Sequence, residues 1–132
     1  MIGINRKTDY AIRCMVHLAS VQYGQITTAA TIALQTKAPA SFVAQFLKEF
    51  SQKKLVTSFK GKSGGYILGR IPENISLLEI VEAADGPIAL AVFSENDRIV
   101  TEPSHPVWAK AQVHVRELLR NISLKDLAEG TA

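Results

Sequence analysis

The sequence of 132 residues contains a single cysteine, Cys14, and no long apolar run. One cysteine excludes a disulfide within the chain and a multi-cysteine zinc or iron–sulfur site. No apolar run approaches the ~18 residues that a membrane-spanning helix needs, and the N-terminal stretch has no signal-peptide core. The chain is 47% apolar and 20% charged, which is ordinary globular composition. We therefore expect a soluble cytoplasmic protein that makes no contact with a membrane.

The sequence also lacks the residue patterns of catalysis. It has no paired carboxylates, no nucleophile with an evident base and no cofactor-binding fingerprint. Cys14 and His17 have a spacing that suits a metal pair, but two ligands do not make a site. The glycine-rich stretch 60–65 lacks the spacing of a phosphate-binding loop, and no helix starts at its end. The sequence therefore predicts no enzyme activity, no cofactor and no metal.

The net charge of +3 is unevenly divided along the chain. Residues 1–70 contain ten Lys and Arg against two Asp and Glu, which gives +8. Residues 71–132 contain five Lys and Arg against ten Asp and Glu, which gives −5. A basic half joined to an acidic half suggests a module that binds a polyanion, with something else attached. A solvated basic face without a partner is the alternative, and composition alone does not separate the two.

Three helices are predicted in the basic half. Apolar residues recur at helical spacing over about residues 8–21. Thr27 or Thr28 is a good N-cap for a short second helix, which ends before Pro39. A third helix is predicted from Ser41, with one continuous apolar face. Two short helices joined by a tight connection are typical of a helix-turn-helix.

A β-hairpin is predicted directly after the third helix. Residues 55–59 and 66–69 have the composition of strands, and the glycine-rich stretch 60–65 forms the turn between them. A hairpin in this place is the wing of a winged helix-turn-helix. The predicted fold class is therefore mostly α with a small β-hairpin wing.

The acidic half is predicted to contain two main helices. Ser76 and Glu79 form a capping box that opens a short helix. Residues 88–104 show no sustained periodicity and are predicted mostly as loop. A long helix follows over about residues 106–122, and Ser123 caps a final helical turn.

The long helix carries an apolar seam whose members are three and four residues apart, as in a coiled coil. So long a seam has little to pack against in a chain of this size, so we predict that it pairs with a second copy. Residues 1–70 would then form the winged helix-turn-helix domain, and residues 71–132 a linker helix, a variable loop and a dimerisation helix. The seam consists of Trp108, Ala111, Val115, Leu118 and Ile122.

In this order, these elements resemble the IscR/NsrR/CymR type of bacterial winged-helix regulators, the Rrf-two family. The most diagnostic match is the wing, LVTSFKGKSGGYILGR, at residues 55–70. The resemblance covers nearly the whole chain. It implies a homodimeric DNA-binding transcription regulator, a repressor, whose long helices cross at the dimer interface. The other matching stretches are residues 8–13, 41–47, 75–87, 105–108 and 122–128.

Three departures from the family pattern affect the expected function. Cluster-binding members carry three cysteines in the interval that corresponds to residues 88–107, and this chain has none there. His105 cannot replace three thiolate ligands, so the resemblance implies a member without a cluster. Ala44 stands where the recognition helix often has a glutamate. Lys60 stands where the wing often has an arginine, and it keeps the charge but loses the planar fork.

The predicted DNA contacts lie on the third helix, the wing and two helix starts. Gln45 can pair with adenine through N6 and N7, and Ser41 can reach a base edge or a phosphate. Phe42 fits either a contact to a thymine methyl group or a place in the core. Lysines and glycines of the wing would serve the flanking groove and its phosphates. The full predicted set is Lys7, Thr8, Thr28, Ser41, Phe42, Gln45, Lys48, Lys60, Lys62, Gly64 and Gly65.

A protein-binding adaptor that kept the fold and lost DNA binding is the competing function. The charge of +8 on residues 1–70 argues against it, because an adaptor has no need of a basic face. The sequence leaves the control of the regulator open among a small-molecule effector, a protein partner and constitutive action. Cys14 lies on the apolar stripe of the first helix and is predicted to be a buried, inert thiol.

Overall fold

The computed structural model describes residues 5–90, 92–93, 96, 99–101 and 104–130. Within these residues it is mostly helical with two antiparallel hairpins, which confirms the predicted fold class. None of the helices in these ranges is long and apolar enough to cross a bilayer. The elements are α1 (Arg6–Ser20), α2 (Ala29–Thr36), α3 (Ala40–Gln52), β1 (Val56–Phe59), β2 (Gly65–Leu68), a short 3-10 helix (Pro72–Asn74), α4 (Leu77–Asp85), β3 (Val92–Phe93), β4 (Ile99–Thr101), α5 (Pro106–Arg120) and α6 (Leu124–Glu129).

The helix starts follow from local capping. Asn5 caps α1, because its side chain accepts a hydrogen bond from the backbone N–H of Thr8 at 2.8 Å. This cap makes α1 begin two residues before the predicted start. Thr28 caps α2, as predicted. Helix α3 begins one residue before the predicted Ser41, directly after Pro39 and without a side-chain cap.

One hydrophobic core spans both halves of the chain. Four residues of α1 and four of α3 form its centre, and α4 and α6 pack on α1. The change of charge at residue 70 therefore does not separate two cores. The buried residues from the first half include Ala11, Cys14, Met15, Leu18, Val43, Phe46, Leu47 and Phe50, and those from the second half include Ile75, Ile80, Ala84 and Leu124.

The wing is attached to the segment before α2. Strands β1 and β2 pair antiparallel, with Phe59 opposite Gly65. The backbone groups of Thr27 and Tyr66 exchange two hydrogen bonds, of 2.9 and 2.8 Å. A Cβ atom on Gly65 would lie 2.7 Å from the carbonyl oxygen of Thr27, so the close approach of these two backbones requires glycine.

The segment that was predicted mostly as loop contains a second hairpin. Strands β3 and β4 pair antiparallel within residues 88–104. The prediction of a loop was wrong for these strands, because two or three residues are too few to show a period of two in the sequence.

A network of hydrogen bonds joins α4, α5 and the segment between them. The Glu82 carboxylate forms an ion pair with Arg116 of α5 and accepts a hydrogen bond from the backbone N–H of Ile88 at 2.8 Å. The side chain of Gln112 accepts a hydrogen bond from the backbone N–H of Leu90 at 3.0 Å. These contacts fix α5 against α4.

Candidate nucleic-acid interface

Helix α3 has a buried face and an exposed face. Four of its apolar residues are fully buried in the core. Ser41, Gln45 and Lys48 are exposed and, at spacings of four and three residues, lie on one side of the helix. The structure therefore brings together the three polar residues that were predicted on the third helix.

Gln45 has a partner that the sequence interpretation missed. Its Nε2 atom donates a hydrogen bond to Oε1 of Glu49 at 3.2 Å. The spacing of four residues on a helix is the signal that identifies such a pair, because residues i and i+4 are neighbours on the helix surface.

Phe42 belongs to a row of aromatic rings. Its ring centroid lies 6.2 Å from that of Tyr10 and 6.2 Å from that of Phe46. The side chain is half-buried and packs against the core cluster. Of the two roles that the sequence left open, this packing favours the core.

The turn of the wing presents Lys60 and Lys62 to solvent. Gly61 has a φ of +103°, which favours glycine. The backbone N–H of Gly64 donates to the carbonyl oxygen of Gly61 at 3.0 Å. This internal hydrogen bond speaks against the predicted contact of the Gly64 N–H with a phosphate.

The two threonines predicted at helix starts differ in accessibility. Thr28 is exposed, and its Oγ1 accepts from the backbone N–H of Thr31 at 3.1 Å. The N-terminus of α2 beside it is favourable for a phosphate. Thr8 is buried, and its hydroxyl donates to Oδ1 of Asn5 at 3.0 Å. This burial speaks against a phosphate contact by the Thr8 side chain.

The lysines predicted to meet DNA are free of ion pairs in the part of the chain that the structure describes. The ion pairs there join Arg13 to Asp9, Arg70 to Glu79 and Arg116 to Glu82. The positive charge of the predicted lysines is therefore not neutralised by an ion pair with any carboxylate among the described residues. These lysines are Lys7, which is half-buried, and Lys48, Lys60 and Lys62, which are exposed.

The predicted dimerisation seam is split by the packing of α5. No residue of α5 is buried within the subunit. Trp108 and Leu118 are 51% and 63% exposed, whereas Ala111, Val115 and Ile122 are half-buried. Three of the five seam residues are thus partly covered by the subunit's own body, and two large apolar side chains remain in solvent.

The donor set of the chain does not fit an iron–sulfur cluster. Cys14 is fully buried in the core, and this burial raises the pKa of its thiol to about 11, although a hydrogen bond with Thr36 acts in the opposite direction. His105 is the N-cap of α5, where its Nδ1 accepts from the backbone N–H of Val107 at 3.1 Å. Among the described residues no group of three His, Cys, Asp or Glu could hold a metal ion. Clusters need several thiolate ligands, and the chain has one cysteine.

Comparison with known proteins assigns the chain to a family. The family model described as "Rrf2: Iron-dependent Transcriptional regulator" matches residues 4–130. The transcriptional regulator CymR of Bacillus subtilis is 29% identical over 129 residues, which are 97% of this chain and 91% of CymR. The solved structure of CymR (YrzC), described as the global cysteine regulator of B. subtilis, superposes with a TM-score of 0.78 at 28% identity and full coverage of both chains. The structure of T. potens IscR gives a TM-score of 0.74 at 25% identity, covering 99% of this chain and 89% of that one.

These relatives are transcriptional regulators and not enzymes, and the matches run over almost the whole chain. The winged helix-turn-helix with its exposed polar row on α3 is the part of the fold that binds DNA in such regulators. The chain belongs to the Rrf2 family of transcriptional regulators.

Proposed function

We propose that the chain is a homodimeric repressor that binds an operator with α3 in the major groove and the β1–β2 wing in the minor groove. It would act in the cytoplasm and without an iron–sulfur cluster. The observation that carries this proposal is the exposed row Ser41, Gln45 and Lys48 on a helix whose other face is buried. A recognition helix needs this division, because it must be held by the core while its free face enters the groove.

The residues of the exposed row suit different parts of the DNA. Gln45 offers a donor and an acceptor, which match N7 and N6 of adenine in the major groove. Ser41 is in the first turn of α3 and can reach a base edge or a phosphate. Lys48 supplies a charge to a phosphate, which fixes the position of the protein without reading sequence.

The wing lysines suit the minor groove. Lys60 and Lys62 lie in the exposed turn between β1 and β2. A narrow minor groove has enhanced negative potential, which attracts inserted basic side chains. Thr28 at the start of α2 and Lys7 at the start of α1 would add phosphate contacts on either side.

The exposed apolar residues of α5 support a dimer. Trp108 and Leu118 are large apolar side chains that the subunit leaves in solvent. Pairing of α5 with its copy would remove them from water, which is favourable. A two-fold dimer would present two copies of α3, so we expect an operator made of two related half-sites.

The cysteine content of the chain supports regulation without an iron–sulfur cluster. The interval 88–107 contains no cysteine, and Cys14 lies in the core with a raised pKa. The regulator would therefore respond to a small-molecule effector or a protein partner, or act constitutively.

The test is binding to operators selected from genomic DNA, measured by fluorescence anisotropy with a scrambled duplex of equal length beside each operator. We expect the Gln45→Ala variant to lose ~1–3 kcal/mol of binding free energy on the operator and nothing on the scrambled DNA. The Lys125→Ala variant, which changes an exposed residue of α6, is the matched control and should bind both as the unmodified protein does. Equal loss on both duplexes would contradict base reading by Gln45. If the unmodified protein does not bind DNA, or binds it with no dependence on salt, the alternative function of a protein-binding adaptor is favoured.

A further inference from the structure

We infer that Glu49 is a specificity-determining positioning residue, whose carboxylate orients the Gln45 carboxamide to prefer adenine over guanine. The inference rests on the proposed function, in which Gln45 faces a base. Its structural basis is the hydrogen bond of 3.2 Å from Nε2 of Gln45 to Oε1 of Glu49, one helical turn further along α3.

The bond determines which way the carboxamide points. An ionised carboxylate only accepts hydrogen bonds, so Gln45 must direct its NH2 group and not its carbonyl oxygen towards Glu49. The NH2 group has two hydrogens, one on the side of Oε1 and one on the opposite side. When the opposite hydrogen is donated to Glu49, Oε1 and the remaining N–H stay free as a pair on the outer edge.

That free pair matches adenine. Oε1 can accept from the N6 amino group, while the N–H donates to N7. Guanine presents acceptors at both N7 and O6, so the same edge would place the Gln45 carbonyl oxygen against O6. An unrestrained glutamine could rotate its amide to donate to O6. With Glu49 in place, that rotation would turn Oε1 of Gln45 towards the carboxylate and would be unfavourable.

Glu49 is itself restrained. The residue is half-buried, and its Oε2 is shielded from solvent and has no hydrogen-bond partner among the described residues. The carboxylate is therefore held against the protein surface, with Oε1 towards Gln45. A hydrogen bond to an ionised group is stronger than a neutral one, and reduced solvation strengthens it further.

Removal of Glu49 should change two measurable quantities. The carboxylate repels phosphates, so its loss should raise the affinity for every DNA by a similar factor. Its loss should also free the amide of Gln45, which would change the ratio of affinities for adenine and guanine. Only the second effect reports on positioning, because a charge that acts on the backbone does not distinguish bases.

The experiment compares the unmodified protein with the Glu49→Ala, Glu49→Gln and Gln45→Ala variants and the Gln45→Ala/Glu49→Ala double variant. Binding is measured on operators with adenine or guanine at the position where Gln45→Ala changes the base preference most. We expect Glu49→Ala to reduce the adenine-to-guanine ratio about two- to tenfold, the effect of ordering one flexible side chain. Glu49→Gln keeps an acceptor but no charge, so it should retain more of the ratio. Glu49→Ala should leave the ratio unchanged in the Gln45→Ala background.

The outcomes separate this inference from the proposed function. A wild-type protein with no sequence preference would overturn the proposed function, and the inference with it. If Glu49→Ala leaves the adenine-to-guanine affinity ratio of the wild-type protein unchanged, the inference alone is overturned. It is also overturned if Glu49→Ala changes that ratio equally in the Gln45→Ala background. Thermal melting of each variant checks that α3 is still folded.

Discussion

Replacement of Leu118 by alanine should weaken the proposed dimer without destabilising the subunit. Leu118 is 63% exposed in the subunit and is the most exposed apolar residue of the predicted α5 seam. The substitution removes three carbon groups, each worth about 0.8 kcal/mol on full burial. If the dimer covers the exposed part, the loss is about 1.5 kcal/mol per copy and about 3 kcal/mol for the two copies. The dimer dissociation constant should therefore rise roughly a hundredfold.

Sedimentation velocity over a range of concentrations measures this constant. The Val113→Ala variant is the matched control, because Val113 is 53% exposed on α5 but lies five residues, or about 140°, away from Leu118 around the helix. It should leave the constant unchanged. The melting temperature of Leu118→Ala should change little, since most of the residue's surface is already exposed in the subunit. An unchanged dissociation constant for Leu118→Ala, or equal weakening by Val113→Ala, would refute the assignment of this face to the dimer.

Two further predictions concern the wing and the thiol. The Lys60→Ala variant should lower the affinity for DNA and make the slope of log K against log salt shallower by about one unit. The control variant Lys125→Ala on α6 should change neither the affinity nor the slope. An unaltered slope for Lys60→Ala would place Lys60 away from the phosphates. Alkylation of Cys14 at pH 8 should be at least about a hundredfold slower in the folded protein than in denaturant, because a pKa of about 11 instead of 9.0 lowers the thiolate fraction by about that factor. The raised pKa of Cys14 also makes the stability depend on pH. Above about pH 9 the thiol ionises in the unfolded state while it stays protonated in the folded state, so the free energy of unfolding should fall. Similar alkylation rates in both states would contradict burial of the thiol.

The sequence alone determined the helices, the wing and the resemblance to the family, but not the β3–β4 hairpin. The helix positions follow from apolar spacing and capping residues, which act over a single turn, and the wing follows from two short strands around a glycine-rich turn. The charge division at residue 70 indicated a polyanion as partner. The absence of cysteine from residues 88–107 indicated control without an iron–sulfur cluster. These are properties of composition and of neighbours along the chain, so no tertiary contact is needed to see them.

Only the tertiary structure decided what covers each face. The sequence left Phe42 open between a base contact and the core, but the rings of Tyr10 and Phe46 show on which side it packs. Thr8 is buried and bonded to the Asn5 cap, although the sequence had placed it at an accessible helix start. The subunit partly covers Ala111, Val115 and Ile122 of the predicted seam and leaves Leu118 in solvent. Helical spacing permits the contact between Gln45 and Glu49, but side-chain rotamers select it, and rotamers depend on the packing of the whole subunit.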